Sequence, residues 1–321
     1  MTWIIGIDEA GYGPKLGPFV MTSVACRVPD PCHSSDLWCL LRPAVRRREN
    51  AAAQRLLIDD SKRVYAAHGL AGLERGVLAS LADTAGGSLQ SLAALIDWLC
   101  PNDGDELRRE AWYRGVQPLP VALAGAADWQ EEAACFKTVC AAAHIDGWQA
   151  RSTVVCPRRF NALLDEGGTK GYVLAHALAN LLDWQRNNLP GANDLIFFID
   201  KHGGRNTYVA MIQRALPDGN VLIEQESRAY SAYCVHGLGR RIRLIFQPRA
   251  DGEHFCVALA SMVSKYLREV LMLEFNRFWQ EHVPNLKPTA GYPGDATRFF
   301  RAIRQTMAKL GLREETLWRR K

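Results

Sequence analysis

Hydrophobic and polar residues follow two distinct periods along this chain. Short runs rich in β-branched and aromatic residues, bounded by Gly, Pro, Asn or Asp, predict strands. They fall at Trp3–Ile7, Phe19–Val28, Ser152–Cys156, Leu195–Ile199, Val221–Gln225, Ser231–Val235 and Ile242–Gln247. The turn-forming stretch Gly13–Pro18 joins the first two runs and predicts a hairpin. A period near 3.6 predicts helices over Arg63–Asp83, Ser88–Leu99, Trp129–His144, Lys170–Arg186, Tyr208–Leu216, Cys256–Glu281 and Ala296–Leu310. In the last of these, Phe299, Phe300, Ile303, Met307 and Leu310 recur at helical spacing. Strands come early and then alternate with helices, which predicts an α/β fold on a mixed sheet flanked by helices. The stretch Gly86–Ala150 is rich in Ala, Gly, Pro and Trp and has no strong strand pattern. The expected organisation is one main domain made of residues 1–85 and 151–282, with 86–150 as a helical insertion and 283–321 as a C-terminal helical extension.

Composition narrows the class. A chain of 321 residues that is 48% hydrophobic can bury a sizeable core. No apolar run approaches the roughly 20 residues needed to cross a bilayer, and the first residues lack the pattern of a secretory signal. The nine cysteines are scattered, none forms C-x-x-C, and Cys26, Cys32 and His33 match no common zinc spacing. A cytoplasmic protein with reduced thiols and no membrane association is expected, and no obligate protein partner is evident. The net charge of +5 permits a polyanionic partner without demanding one. Basic residues concentrate in RPAVRRRE (Arg42–Glu49), HGLGRRIR (His236–Arg243) and WRRK (Trp318–Lys321), each of which also reads as a solvated face.

Chemistry enters with the acids. The first strand-like run ends in Asp8 and Glu9 and is followed at once by glycines, and DLIFFIDKHGG repeats the pattern at Asp200. Taken singly, each acid reads as a turn cap or a solvated strand end. If the two strands are neighbours, Asp8, Glu9 and Asp200 meet at one sheet edge. Carboxylates that close resist ionising together unless a cation compensates, and oxygen donors suit Mg²⁺ or Mn²⁺.

The opening GIDEAGYGPKLGPFV resembles the first motif of the type 2 ribonucleases H, the ribonuclease HII-like family, which reads G-I-D-E-A-G-R-G-P and continues to G-P. DDSK (Asp59–Lys62) is similar to their D-S-K segment, and IDKHGGRN stands where they carry a strand-ending Asp. RADGEHFCVALASMVSKYLRE (Arg249–Glu269) resembles their K-A-D…A-A-S-I-x-A-K-x-x-R-D helix, and GYPGD (Gly291–Asp295) their late K-G-Y-G segment. The order agrees, and the matches span most of the chain outside Gly86–Ala150. The resemblance implies a ribonuclease H-like fold and a two-metal endonuclease that hydrolyses the RNA strand of RNA–DNA hybrids. It assigns the catalytic, metal-holding acids to Asp8, Glu9, Asp200 and Glu269, with Asp8 shared by both ions. It assigns substrate contacts to Gly11, Tyr12, Gly13, Ser61, Lys62 and Tyr292.

The chain departs from that pattern in three places. Tyr12 replaces the arginine between the two glycines, where backbone amides bond 2′-hydroxyls; Arg205 is a candidate substitute. Glu269 replaces Asp, which moves the carboxylate by about 1.5 Å, and Lys265 stands four residues earlier as a simple ion-pair partner. Thr289 and Ala290 occupy positions that are usually basic. His202 reads either as a proton carrier near the acids or as an exposed, idle loop residue. Two other classes stay open: a hybrid-binding module without catalytic competence and, more distantly, a sugar kinase/actin-type nucleotide-dependent phosphotransferase. Against the latter, Glu9 would repel nucleotide phosphates.

Overall fold

The structure is a computed structural model that describes residues 1–30, 36–47, 55–114, 128–202 and 205–320. In chain order its elements open with β1 (Thr2–Ala10), β2 (Phe19–Val28), α1 (Leu37–Leu40), β3 (Val45–Arg46), β4 (Leu56–Leu57) and α2 (Ser61–Ala85). Then come α3 (Leu92–Leu99), α4 (Gly104–Arg109), α5 (Asp128–Ala142), β5 (Asp146–Val155), α6 (Pro157–Gly167) and α7 (Lys170–Asn188). The chain continues through β6 (Leu195–Asp200), α8 (Val209–Ala215), β7 (Asn220–Glu226), β8 (Ser231–His236), β9 (Ile242–Gln247), α9 (Phe255–His282) and α10 (Pro293–Lys309). Seven strands form one mixed sheet in the order β5-β2-β1-β6-β9-β8-β7. Its centre, β1-β6-β9, is parallel, and the remaining pairings are antiparallel. β3 and β4 form a separate two-stranded pair.

Alternation along β1 splits the core into two layers, because successive strand residues face opposite sides. Ile4 joins β2's Val20 and Val24 against α2, α9 and α10, whereas Trp3, Ile5 and Ile7 pack against α6, α7 and α8. Gly6 faces the α9 layer, and a methyl group there would lie 2.1 Å from the Cys256 backbone. Its missing side chain lets the start of α9 press directly on β1, which fixes that helix beside the Asp8 end of the strand.

Each strand expected from the alternation is present, and Phe19–Val28 has the expected bounds. β5 begins at Asp146, six residues before the β-branched run suggests. Trp148 and Ala150 are buried there, and the Arg27–Asp146 ion pair (2.8 Å) holds the strand's outer end to β2. A strand therefore enters the stretch expected to be helical, of which residues 115–127 lie outside the described residues. α6 was not anticipated: Pro157 sits in its first turn, and Phe160, Leu163 and Leu164 are buried beneath it. Among the described residues no helix is long and apolar enough to cross a membrane.

Candidate metal and nucleic-acid cleft

Parallel pairing sets the site. Ile7 registers with Ile199, so one residue further on Asp8 and Asp200 emerge side by side at the carboxyl ends of β1 and β6. β9 pairs with β6 on the other side, with Asp200 opposite Gln247. The chain then turns through Arg249, at φ 58°, into a short 3₁₀ turn, Ala250–Gly252. That turn delivers Asp251 to the same edge. A cleft of about 720 Å³ opens there, lined by Asp8, Glu9, Asp200, Asp251 and Glu253 and, at the start of α2, by Asp60, Ser61, Lys62 and Arg63.

Hydrogen bonds aim these acids. Asp8 Oδ1 accepts the Glu9 amide (2.8 Å), and Asp200 Oδ1 accepts the Ala250 amide (2.9 Å). Ser61 and Ser261 hydroxyls lie 2.9 Å apart beneath the cleft, and Ser261 reaches Asp8. Burial, and then the neighbouring Glu9 charge, holds the Asp8 carboxyl well above the usual carboxylate range. Glu9 is pushed up to about 7, first by burial and then by Asp200, with Lys62 acting in the opposite sense. Burial also raises Asp200, and Asp251 is raised by burial and by its acidic neighbours.

Glu269 takes no part in this cluster. Its Oε1 pairs with Lys265 Nζ at 2.6 Å and with Arg268 Nη1 at 3.3 Å, and it does not line the cleft. Ser261, Lys265 and Arg268 present one stripe of α9 to the cleft, and the ion pairs with the last two engage the Glu269 carboxylate. Besides Asp8, Glu9 and Asp200, the cleft is lined by Asp60, Glu253 and Asp251, the last of which is raised by burial and by the charges of Asp60 and Asp200. Its signal lay in the RADG segment, but nothing in the local hydrophobic pattern marks it, because only the β6–β9 pairing carries it there.

The other residues singled out in the sequence gather around the same opening. Gly11 has φ 82°, and a methyl group on it would lie 2.5 Å from Arg268 Nε and 2.6 Å from the Pro18 carbonyl. The loop thus comes closer to its neighbours than any other residue allows. Tyr12 lines the cleft with its ring edge-on to Phe19 (6.3 Å), and Lys170 Nζ lies 5.6 Å from the ring centroid. Arg205 is near enough for its charge to oppose the rise that burial and Glu9 impose on the Tyr12 hydroxyl. Gly13 approaches Tyr292, whose ring would lie 3.9 Å from a methyl group on that glycine. Tyr292 is 52% exposed and lines the cleft, so it is not a core tyrosine. Beside Thr289 and Ala290, Arg268 of α9 donates to the Ala290 carbonyl (2.8 Å), its guanidinium 6.0 Å from the Tyr292 ring.

His202 is buried rather than exposed, with Nε2 3.8 Å from Glu9 Oε2. Burial, and then Arg205, lowers it to about 4, so it stands neutral beside the acids. Neither ring nitrogen, nor Glu9 Oε2, has a hydrogen-bond partner among the described residues.

Arg319 braces the loop from behind. Fully buried, it donates to the carbonyls of Gly11 (2.6 Å), Pro14 (3.3 Å) and Gly17 (2.5 Å), and its amide donates to Lys15 (2.9 Å). Asn161 in turn holds the segment around it through the carbonyls of Glu315 and Trp318.

The donor set fits a hard divalent cation. The acids facing the cleft offer carboxylate oxygens, several are desolvated, and Glu9 Oε2 lies buried without a partner. Among the described residues no three His, Cys, Asp or Glu side chains close into a metal-holding cage. Mg²⁺ does not require one, since it keeps several waters and uses one or two carboxylates per ion.

No protein-family model matches the chain, and no curated protein matches it. Among solved structures it is similar to a chain of the PCNA–RNase HII complex from Archaeoglobus fulgidus, at 16% identity and TM-score 0.41 over 99% of this chain and 94% of that one. It is also similar to RNase H3 from Aquifex aeolicus (12%, 0.45, 98% and 70%) and to Bst-RNase HIII in complex with Mn²⁺ (16%, 0.43, 99% and 66%). The structures that this chain resembles are type 2 ribonucleases H.

Proposed function

We propose that this protein is a divalent-metal-dependent endonuclease of the ribonuclease H type, cutting the RNA strand of RNA–DNA hybrids to leave 5′-phosphate and 3′-hydroxyl ends. One observation carries the reading. Asp8, Glu9, Asp200 and Asp251, from three separate segments, line a single cleft close enough for their charges to act on one another, together with Asp60, Glu253 and the basic Lys62, Arg63, Lys265 and Arg268. We assign Asp8, Glu9, Asp200 and Asp251 to holding Mg²⁺ or Mn²⁺, which replaces Glu269 with Asp251. When bound, such ions activate water and offset charge on the leaving oxygen.

The chain's own residues supply the rest. Ser261 and the Glu9 amide orient Asp8, and the Ala250 amide orients Asp200. Lys62 offers a phosphate contact directly across from the acids. The close-set Gly11–Gly13 backbone faces the minor-groove side of a hybrid, where 2′-hydroxyls distinguish RNA from DNA. Tyr292 presents an exposed ring to a sugar or base at the rim. Neutral His202, 3.8 Å from Glu9, excludes water from that side of the carboxylate. The same reading places the protein in the cytoplasm, treats 86–150 as an insertion within the main domain, and treats 283–321 as the extension that braces the Gly11 loop.

The test is a cleavage panel of DNA duplex, RNA duplex, hybrid, and DNA with one embedded ribonucleotide, each in Mg²⁺ and in Mn²⁺. Cleavage confined to the RNA-containing duplexes with DNA supports the proposal. Binding of hybrid with no cutting in either metal would leave a hybrid-binding module instead.

A further inference from the structure

Resting on the reading above that the Gly11–Gly13 backbone faces the 2′-hydroxyls of a hybrid, we propose that Arg319 is a positioning residue for that recognition. By holding the Gly11 carbonyl from behind, it aims the Tyr12 amide at the substrate and so sets how strongly the protein prefers RNA to DNA. Arg319 touches the loop, whereas the cleft is lined by other residues. Its guanidinium donates to the carbonyls of Gly11 (2.6 Å), Pro14 (3.3 Å) and Gly17 (2.5 Å), three points along one turn. A peptide unit is planar and trans, so its C=O and N–H point opposite ways. A carbonyl drawn inward thus turns the following amide outward. In the Pro14–Lys15 unit that amide is used inside the protein, donating to the Gly291 carbonyl (2.7 Å). The Gly11–Tyr12 unit differs. Its Tyr12 amide has no acceptor among the described residues, and both residues line the cleft. An unpaired backbone N–H at a binding surface is open to a ligand. A ribose 2′-hydroxyl can accept it, and deoxyribose has no such group.

Stability alone does not account for this residue. Arg319 is fully buried, it forms no ion pair among the described residues, and its Nε makes no hydrogen bond there. Burial, and then the charge of Arg268, lowers it to about 9, so it stays protonated at neutral pH. A buried cation without a counter-charge costs more than an apolar residue of similar size, so the turn that it holds has a use beyond closing the fold. The hold is also fixed from several sides. The guanidinium lies 4.7 Å from the Phe160 ring of α6. Asn161, next on α6, donates to the Glu315 carbonyl (3.2 Å) and the Trp318 carbonyl (2.8 Å) and accepts the Arg320 amide (3.0 Å). Arg320 reaches Asp165, one turn further along the same helix (2.6 Å). α6 therefore fixes the final segment, and that segment fixes the loop. Positive φ at Gly11 (82°) and Gly17 (79°) gives the turn a shape that brings its carbonyls onto one guanidinium.

The experiment measures Kd by fluorescence anisotropy, in Ca²⁺ and at one salt concentration, for an RNA–DNA hybrid and for a DNA duplex of the same sequence. The unaltered chain should prefer the hybrid. In Arg319→Met that preference should shrink by about tenfold, the weight of one aligned hydrogen bond, with DNA binding changed by less than about twofold. A purely structural role would weaken both duplexes alike. Arg319→Lys keeps the charge but has one nitrogen in place of a fork, and it should recover part of the preference. Asn161→Ala covers the case in which the Arg319 variants do not fold. It leaves the guanidinium in place and loosens the segment that carries it, and it should lower the preference by about two- to threefold. Folded variants that keep the full preference would overturn the role of Arg319 and leave the nuclease reading intact. Equal affinity of the unaltered chain for both duplexes would remove the loop's reading of ribose, and this proposal with it.

Discussion

Two buried polar groups lie within a few residues of each other and are built on opposite principles. Beneath the cleft, Thr22, Ser152 and Ser264 are neutral, fully buried and mutually satisfied. Thr22 Oγ1 is 2.8 Å from both Ser152 Oγ and Ser264 Oγ, and Ser264 Oγ is 3.0 Å from the Asp8 carbonyl. Above it, Asp8, Glu9, Asp200 and Asp251 are carboxyls whose ionisation the fold opposes, by burial at all four and by neighbouring acids at Asp8, Glu9 and Asp251. The first cluster stabilises the fold by leaving no polar atom in it unpaired. The second weakens the metal-free fold and is ready to be compensated by a cation. Proximity to the same strand end does not decide which role a residue has; charge and unmet coordination do.

The contrast is broken most strongly by Asp8→Asn. Cleavage should fall by about 10³-fold or more, since the carboxylate next to both Glu9 and Asp200 is lost. The metal-free protein should nevertheless melt a few degrees higher, because a buried carboxyl that ionises more readily in the unfolded chain is gone. A lower melting temperature would mean that Asp8 is structural. Next in size is the comparison of Asp251→Asn with Glu269→Gln. The first should lose activity by about 10²-fold, and the second should stay within about threefold, as expected for a carboxylate engaged by Lys265 and Arg268. The reverse order in a single-turnover assay would return the fourth acid to α9.

A third prediction concerns pH. Glu9's folded value lies near 7, above its ordinary 4.5, so the folded state binds this proton more tightly than the unfolded chain does. Its contribution is full below about pH 4.5 and is lost as pH rises through 7. The rise in melting temperature on adding Mg²⁺ should therefore be small at pH 5 and grow towards pH 8. A flat profile in differential scanning fluorimetry counts against cation binding at Glu9. The smallest activity effect belongs to the neutral cluster. Ser264→Ala should cost about 1–3 kcal/mol in denaturant unfolding and leave the residual fold able to cut.

Much of this was legible beforehand, for identifiable reasons. Strands such as Phe19–Val28 and Ile242–Gln247 carry β-branched runs between turn residues, a signal that is local and therefore readable. Asp8 and Asp200 were readable as a pair because each ends such a run. β3 and β4 are two residues long, too short for any period to register. Asp251 was hidden because its position depends on which strand lies next to β6, a long-range fact. Glu269 looked equivalent by spacing in a motif, yet its carboxylate is taken up by Lys265 and Arg268. His202 seemed a loop residue among glycines, but Tyr208 and the ends of β1 and β6 enclose it.

The brace on the Gly11 loop has a consequence for biosynthesis. Gly11 and the guanidinium that grips its carbonyl are 308 residues apart, so a ribosome releases the strand bearing Asp8 long before it releases the side chain that locks the adjoining turn. A nascent chain can pair β1 with β2 early, but the turn beside Asp8 stays unbraced until translation has passed Arg319.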